Sequence, residues 1–226
     1  MNFTANALHQ PMNLSEGIPH ILIADEHPIV RMGLGALIQS AFQQVRLSEA
    51  ENGEMVKQML GAGVFDLVIL GTHMPDTEAF GLAAFLRKEY PGVKLLIFTM
   101  KRDFFYAKRF LKIGCHGYLN KHSTQSEIIN AVLEVLSGKK ILGTEFTQVM
   151  ASQLQGETAK NPFEELSDRQ FEIVLQILKK NSLSNIAEIL RIQLSTVCTH
   201  KVRIFSKLKV SSTADLARLA KMYNII

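Results

Sequence analysis

Three short apolar runs constrain this chain more than any other feature. HILIAD ends at Asp25, FDLVILG ends at Gly71, and KLLIFTM ends at Met100. Each is apolar on both faces, and such strands need cover on both sides, as in parallel sheets joined by helical crossovers. The segments between them have helical spacing. HPIVRMGLGALIQSAF brings Ile29, Leu34, Leu37, Ile38 and Phe42 onto one face. GEMVKQMLGAG reads as a short amphipathic helix, TEAFGLAAFLRKEYPG as a helix stopped by Pro91, and RDFFYAKRFLKIGC as a helix. STQSEIINAVLEVLSGK reads as a helix capped by Ser123, with Glu127 nearby. RLSEAEN and HGYLNK supply two weaker strands. The expected fold is a doubly wound α/β domain on a five-stranded parallel sheet.

Function in such sheets gathers at the carboxyl ends of the strands. Those ends carry Asp25-Glu26, Gly71-Thr72, Thr99-Met100 and Lys121. An acidic pair, a hydroxyl and an ammonium stand at these ends, and the family resemblance given below implies that such a set handles phosphate. The third strand, however, ends on glycine. Glycine has no nucleophile, and Asp66 and Asp76 lie too far along the chain at about 3.3 Å per strand residue. Thr72 and His73 stand nearer, and a histidine phosphate is chemically possible.

After Lys140 the composition turns polar, and GTEFTQVMASQLQGETAKNP reads as a linker. Beyond it lie four helical segments. Ser167 caps the first, which Asn181 ends in the left-handed conformation. Ser182 caps the second, Ser195 caps the third after the turn RIQL, and LARLAKMYNII makes the fourth. Two short helices across a tight turn make a helix-turn-helix, whose second helix enters the DNA major groove. On that helix Val197, Ile204 and Leu208 form an apolar stripe. Thr199, Val202, Arg203 and Ser206 lie opposite, with Cys198 at the margin. Thr196, Thr199, His200, Lys201, Val202, Arg203 and Lys207 are the candidate DNA contacts. Charge agrees: from Lys160 onward there are eleven Lys/Arg against six Asp/Glu, while the rest of the chain has fourteen against fifteen.

Bulk properties narrow the class. A length of 226 residues suits two domains, and 47% apolar residues supply two cores. No run nears the roughly 18 apolar residues of a membrane span, and the polar N-terminus is no secretory signal. Cys115 and Cys198 form no metal or redox spacing. A cytoplasmic protein with no cofactor, no metal and no membrane partner is expected.

The first domain resembles a receiver domain of two-component response regulators, on Asp25, Glu26, Thr99 and Lys121 and on the MP of HMPD. LSDRQFEIVLQIL, SNIAEIL and LSTVCTHKVRIFSKLKV resemble the LuxR-type helix-turn-helix. Together they resemble a NarL/FixJ-type response regulator across nearly the whole chain. The resemblance implies an acidic pair that binds Mg²⁺, a phosphoacceptor position at Gly71, and an aromatic switch position at Tyr118. It places a tail at 1–17, a receiver-like domain at 18–142, a linker at 143–162, and a small all-α helix-turn-helix domain at 163–226. Lys201 stands where relatives carry an apolar residue, Val202 where they carry a polar one, and Lys180 where glycine is frequent.

The expected protein is a non-enzymatic DNA-binding transcription regulator, acting as a dimer on double-stranded promoter DNA through a phosphorylation-independent receiver. RNA polymerase and another response regulator are further candidate partners. The competing reading is an interaction regulator that sequesters a partner response regulator through the receiver. The degenerate pocket is either a relic or a lock, in which Lys121 pairs directly with Asp25 or Glu26. A carboxylate restored at Gly71 is expected at modest cost. Dimer contacts are expected on the last helix, through Leu216, Leu219 and Ala220, or on the receiver helices.

Overall fold

The computed structural model describes residues 17–75, 77–100, 104–143, 146, 161–223 and 225. All but the last residue of the expected N-terminal tail and most of the expected linker fall outside them, as does Asp76.

The apolar runs are strands, as their patterning requires. β1 (His20–Ala24), β2 (Arg46–Ala50), β3 (Leu67–Gly71), β4 (Lys94–Thr99) and β5 (Gly117–Asn120) pair in parallel in the order β2-β1-β3-β4-β5. A sixth strand, β6 (Ile141–Leu142), joins at the β5 edge, so the sheet has six strands rather than five. Two residues carry too little alternation for sequence patterning to reveal them. The strand order reverses at β1 and β3, which opens a crevice at their carboxyl ends.

Helices cover both faces. α1 (Pro28–Ala41) and α5 (Gln125–Leu136) bury Leu34, Ile38, Ile128, Val132 and Val135 against Ile21, Ile23, Ile69 and Leu96. α2 (Gly53–Ala62), α3 (Ala79–Glu89) and α4 (Phe104–Ile113) cover the other face. α5 is capped by Thr124, not Ser123, through a capping box with Glu127. Ile29 is 73% exposed and lies off the buried face of α1 expected for it.

The C-terminal helices are α6 (Asp168–Leu178), α7 (Leu183–Ile189), α8 (Leu194–Leu208) and α9 (Thr213–Met222). Ser167 caps α6 through a capping box with Gln170, and Ser182 caps α7. Lys180, at φ 64°, takes the left-handed turn expected of Asn181. Gln193, without a side-chain cap bond, precedes α8, so Ser195 lies inside the helix. Val197, Ile204 and Leu208 form the buried stripe as expected. Leu216 and Ala220 are fully buried within the same domain, so neither can serve the dimer contact expected of them.

The two domains share one apolar core. Phe171 of α6 packs edge-on to Phe80, Phe105 and Tyr106 of α3 and α4. Arg109 of α4 crosses the boundary almost completely buried. It donates to Asp168 Oδ1 at 2.6 Å, Leu166 O at 2.7 Å and Phe163 O at 3.0 Å. Burial lowers its pKa against the raising effect of Asp168. Tyr106 Oη donates to Ile225 O, and Glu78 accepts from Gln176 and Lys179.

Candidate functional site

The carboxyl edge of the sheet brings Asp25, Thr99, Lys121 and Gly71 together. Asp25 follows β1 and is 2% exposed. Its Oδ2 lies 2.5 Å from Lys121 Nζ. Its Oδ1 accepts from His27 N at 3.0 Å and faces His27 Nδ1 at 3.1 Å. Arg31 Nη1 donates to the Asp25 carbonyl at 2.7 Å and its Nε to Glu49 at 2.9 Å. Thr99, at the end of β4, is fully buried and shares a 2.6 Å hydrogen bond with the Thr72 hydroxyl. Of the two pairings left open for Lys121, the structure takes the one with Asp25. Glu26 turns outward instead, with Oε1 3.5 Å from His27 Nδ1.

Gly71 closes β3 opposite Phe98. A Cβ built on it would overlap Asp25 Oδ2 and stand 3.1 Å from Asp25 Cγ and 3.2 Å from Ala24 O. The Asp25 carboxylate therefore fills the space beside the Gly71 backbone, and the modest cost expected for a carboxylate there is corrected. These residues do not fit the Mg²⁺ site that the resemblance implies. Asp25 is committed to an ammonium, Glu26 is turned away, and glycine offers no ligand. Tyr118 is fully buried, 4.8 Å centroid to centroid from Phe146 and 5.9 Å from Phe110.

Patterning passed over His27, Arg31 and Asn120. His27 precedes α1 and Arg31 lies in its first turn, where proximity in sequence to the acidic pair was the available signal. Asn120 is buried, accepts from His122 N at 2.8 Å, and leaves Nδ2 unpartnered. Nothing in its surrounding sequence marks it.

The second site is the outward face of α8. Ser195, Thr196, Thr199, His200 and Arg203 line a shallow depression of about 220 Å³. Val202 is 71% exposed, and Cys198 is exposed beside it. Lys201 Nζ lies over the Phe205 ring at 5.4 Å. His200 has a buried Nδ1 without a partner, and burial with the charges of Arg203 and Arg169 lowers its pKa. Lys207 stands apart from the depression. Its ammonium donates to Glu165 O at 2.8 Å and Gln170 Oε1 at 3.0 Å.

A strand-end pocket of this composition, joined to a helix-turn-helix, defines a two-domain signalling regulator rather than an enzyme. The chain belongs to the response regulators: a response regulator receiver domain matches residues 21–133, and a domain of the bacterial regulatory proteins of the luxR family matches residues 164–220. It is similar to the response regulator UvrY of Escherichia coli, 28% identical over 202 residues, 89% of this chain and 93% of that one. RcsB from Salmonella enterica serovar Typhimurium, bound to promoter rprA in the presence of phosphomimetic BeF3−, gives a TM-score of 0.71 at 17% identity, covering 90% and 98% of the two chains. A structure of two RcsB dimers bound to two parallel DNAs gives 0.58 at 19% identity, covering 91% and 98%. At these identities the likeness to the solved structures is one of fold. No described helix is long and apolar enough to cross a membrane.

Proposed function

We propose that this chain is a cytoplasmic, sequence-specific DNA-binding transcription regulator that acts as a dimer, with a receiver that works without phosphorylation. The observation that carries the reading is the Asp25–Lys121 ion pair, 2.5 Å long and almost fully buried, beside a glycine that ends β3. The lysine already neutralises a carboxylate of its own chain, so the electrostatic role of a phosphoryl group is filled internally. The same pair supports the lock over the relic, because a relic would leave both charges to drift toward water.

DNA binding is supported by the outward half of α8, small and polar at Thr196 and Thr199 and basic at Lys201 and Arg203. A major groove admits such a face. His200 and Val202 complete the surface, and Lys207 serves by supporting it. The structures of RcsB on DNA are consistent with this reading. For dimerisation, Ile29 and Met32 leave α1 apolar and open, 73% and 63% exposed, which favours a receiver helix over the last helix. The layout proposed is a tail at 1–17, a receiver at 18–142, a linker at 143–162 and a DNA-binding domain at 163–226.

The test is a salt series on full-length protein with promoter fragments selected from random DNA. Affinity should fall steeply with salt, and Arg203→Ala should cost about 1–3 kcal/mol. Acetyl phosphate with Mg²⁺ should change neither affinity nor stoichiometry. A chain that selects no sequence, or that binds only after phosphodonor treatment, would sink the proposal.

A further inference from the structure

A cavity of about 320 Å³ lies where the two domains meet, and the response regulator chemistry leaves it unused. Its volume falls at the small end of the range for ligand pockets, about 300–1,000 Å³. One wall is aromatic. Phe80 stacks on Phe110 with ring centroids 4.2 Å apart and planes 14° apart, and Tyr106 lies nearly parallel to Phe80 at 22°. Leu175 and Leu178 of α6 add aliphatic lining. This mixed aromatic and aliphatic lining makes an apolar slot, and its aromatic rings favour a planar aromatic guest that can stack or pack edge-on against them.

Charge narrows the guest further. Glu78 and Lys179 both line the slot and already pair with each other, Nζ to Oε1 at 3.1 Å, with Gln176 Nε2 donating to the same oxygen at 2.5 Å. A charged guest would have to break that pair or enter without a counter-ion, and burying an unpaired charge is costly. Thr72, which bonds to Thr99, and His73 also line the slot. The lining therefore reaches to a single residue from Gly71 and offers the Thr72 hydroxyl to a hydrogen-bonding substituent.

We infer that this interdomain cavity binds a small, uncharged, planar aromatic molecule of one or two rings carrying a hydrogen-bonding group. Its walls come from both domains, α3 and α4 on one side and α6 on the other. A guest therefore binds the docked arrangement in preference to any separated one, and its occupancy shifts the equilibrium toward docking. That places a chemical input beside the strand end where the Asp25–Lys121 pair has closed the phosphoryl site. The inference stands on the cavity alone and does not require that the chain bind DNA.

The test titrates N-phenyl-1-naphthylamine, an uncharged two-ring fluorophore, into the full-length chain. Fluorescence should rise, shift to the blue and saturate at one dye per chain, and the midpoint of thermal unfolding should rise with dye concentration. The chain contains no tryptophan. Leu178→Trp therefore both fills the slot and adds a reporter, and it should weaken the dye at least tenfold while leaving far-ultraviolet circular dichroism intact. Leu175→Phe, a smaller intrusion, should weaken it in the same direction if Leu178→Trp does not fold. Val64→Ala, at an exposed apolar residue outside the slot and outside the proposed dimer face, should leave binding unchanged. The sulfonated relative 8-anilinonaphthalene-1-sulfonate should bind at least tenfold more weakly. Binding that does not saturate, that is unaffected in both folded slot variants, or that is equally strong for the sulfonate overturns the inference.

Discussion

A single methyl group at Gly71 tests whether the receiver pocket is closed. Gly71 is absent from the positive-φ glycines Gly17, Gly114 and Gly138, so Gly71→Ala carries no backbone penalty of that kind. Its cost is steric. The new Cβ overlaps Asp25 Oδ2, and Asp25 cannot simply swing aside, because Lys121 holds one oxygen at 2.5 Å and His27 N the other at 3.0 Å. Overpacking against fixed neighbours costs about 1–3 kcal/mol. Taking about 2 kcal/mol as the central value, the melting temperature of a chain this size should fall by roughly 4–8 °C. Gly71→Asp should cost more, since it sets a second carboxylate beside the first with one ammonium between them. The double variant Gly71→Asp with Asp25→Ala empties the space and hands Lys121 a new partner, so it should recover most of the loss, and a double-mutant cycle isolates the coupling. The assay is thermal unfolding followed by circular dichroism. A Gly71→Ala protein as stable as wild type would refute the closed pocket. So would Gly71→Asp that takes up phosphate from acetyl phosphate at undiminished stability with Asp25 in place.

Three further outcomes are expected. Arg109→Ala strips three hydrogen bonds from the domain boundary and leaves the carbonyls of Phe163 and Leu166 short of a donor, at a cost of about 3 kcal/mol; small-angle scattering should show a larger radius of gyration, with Arg109→Lys intermediate, and an unchanged radius contradicts the latch. Native protein should titrate one thiol per chain with Ellman's reagent, from exposed Cys198, because burial pushes the Cys115 thiol up to about 12; two equivalents before denaturation would be the contrary result. Burial raises the Glu172 carboxyl above its usual 4.5 against the pull of Arg169, with Glu78 and Asp168 adding to the rise. The folded state therefore holds that proton more tightly, and stability falls as pH climbs from 4.5 through the raised value. Glu172→Gln should flatten that decline in urea midpoints, and a variant that loses more stability at pH 7 than at pH 4.5 would show the sign to be wrong.

Much of the receiver was legible because its strands are apolar on both faces and its functional side chains follow their ends. Asp25, Thr99 and Lys121 could be placed together because each stands at the carboxyl end of a strand in a parallel sheet, and the family resemblance named them as one set. The occupant of the space at Gly71 could not, because whether Asp25 or Glu26 takes the lysine depends on their rotamers, and His27 is what meets both carboxylates. The strand Ile141–Leu142 is too short to carry a pattern. Thr124 was missed for its neighbour Ser123, since both can cap and a one-residue offset decides which backbone nitrogen each hydroxyl meets. Lys180 in place of Asn181 shows that tertiary fit can place lysine in the left-handed conformation, against preference. On the last helix, periodicity marked Leu216 and Ala220 as a contact face, but it cannot tell a face turned to a partner from one turned to its own domain. The contact between the domains was hidden altogether, because Arg109 and Phe171 each read as ordinary helix residues until the 61 intervening positions are folded.

The Arg109 crossing has a consequence for how a pair of these chains would measure DNA. With the two domains latched and α8 facing outward, receiver and reading helix move as one lever, and the distance between two reading helices is fixed by the angle at which the receivers meet. Such a pair works as a caliper rather than as two hands on a tether. Its selectivity then includes the separation and rotational phase of the half-sites, and a change of a few degrees at the receivers is magnified along the lever into a different preferred spacing.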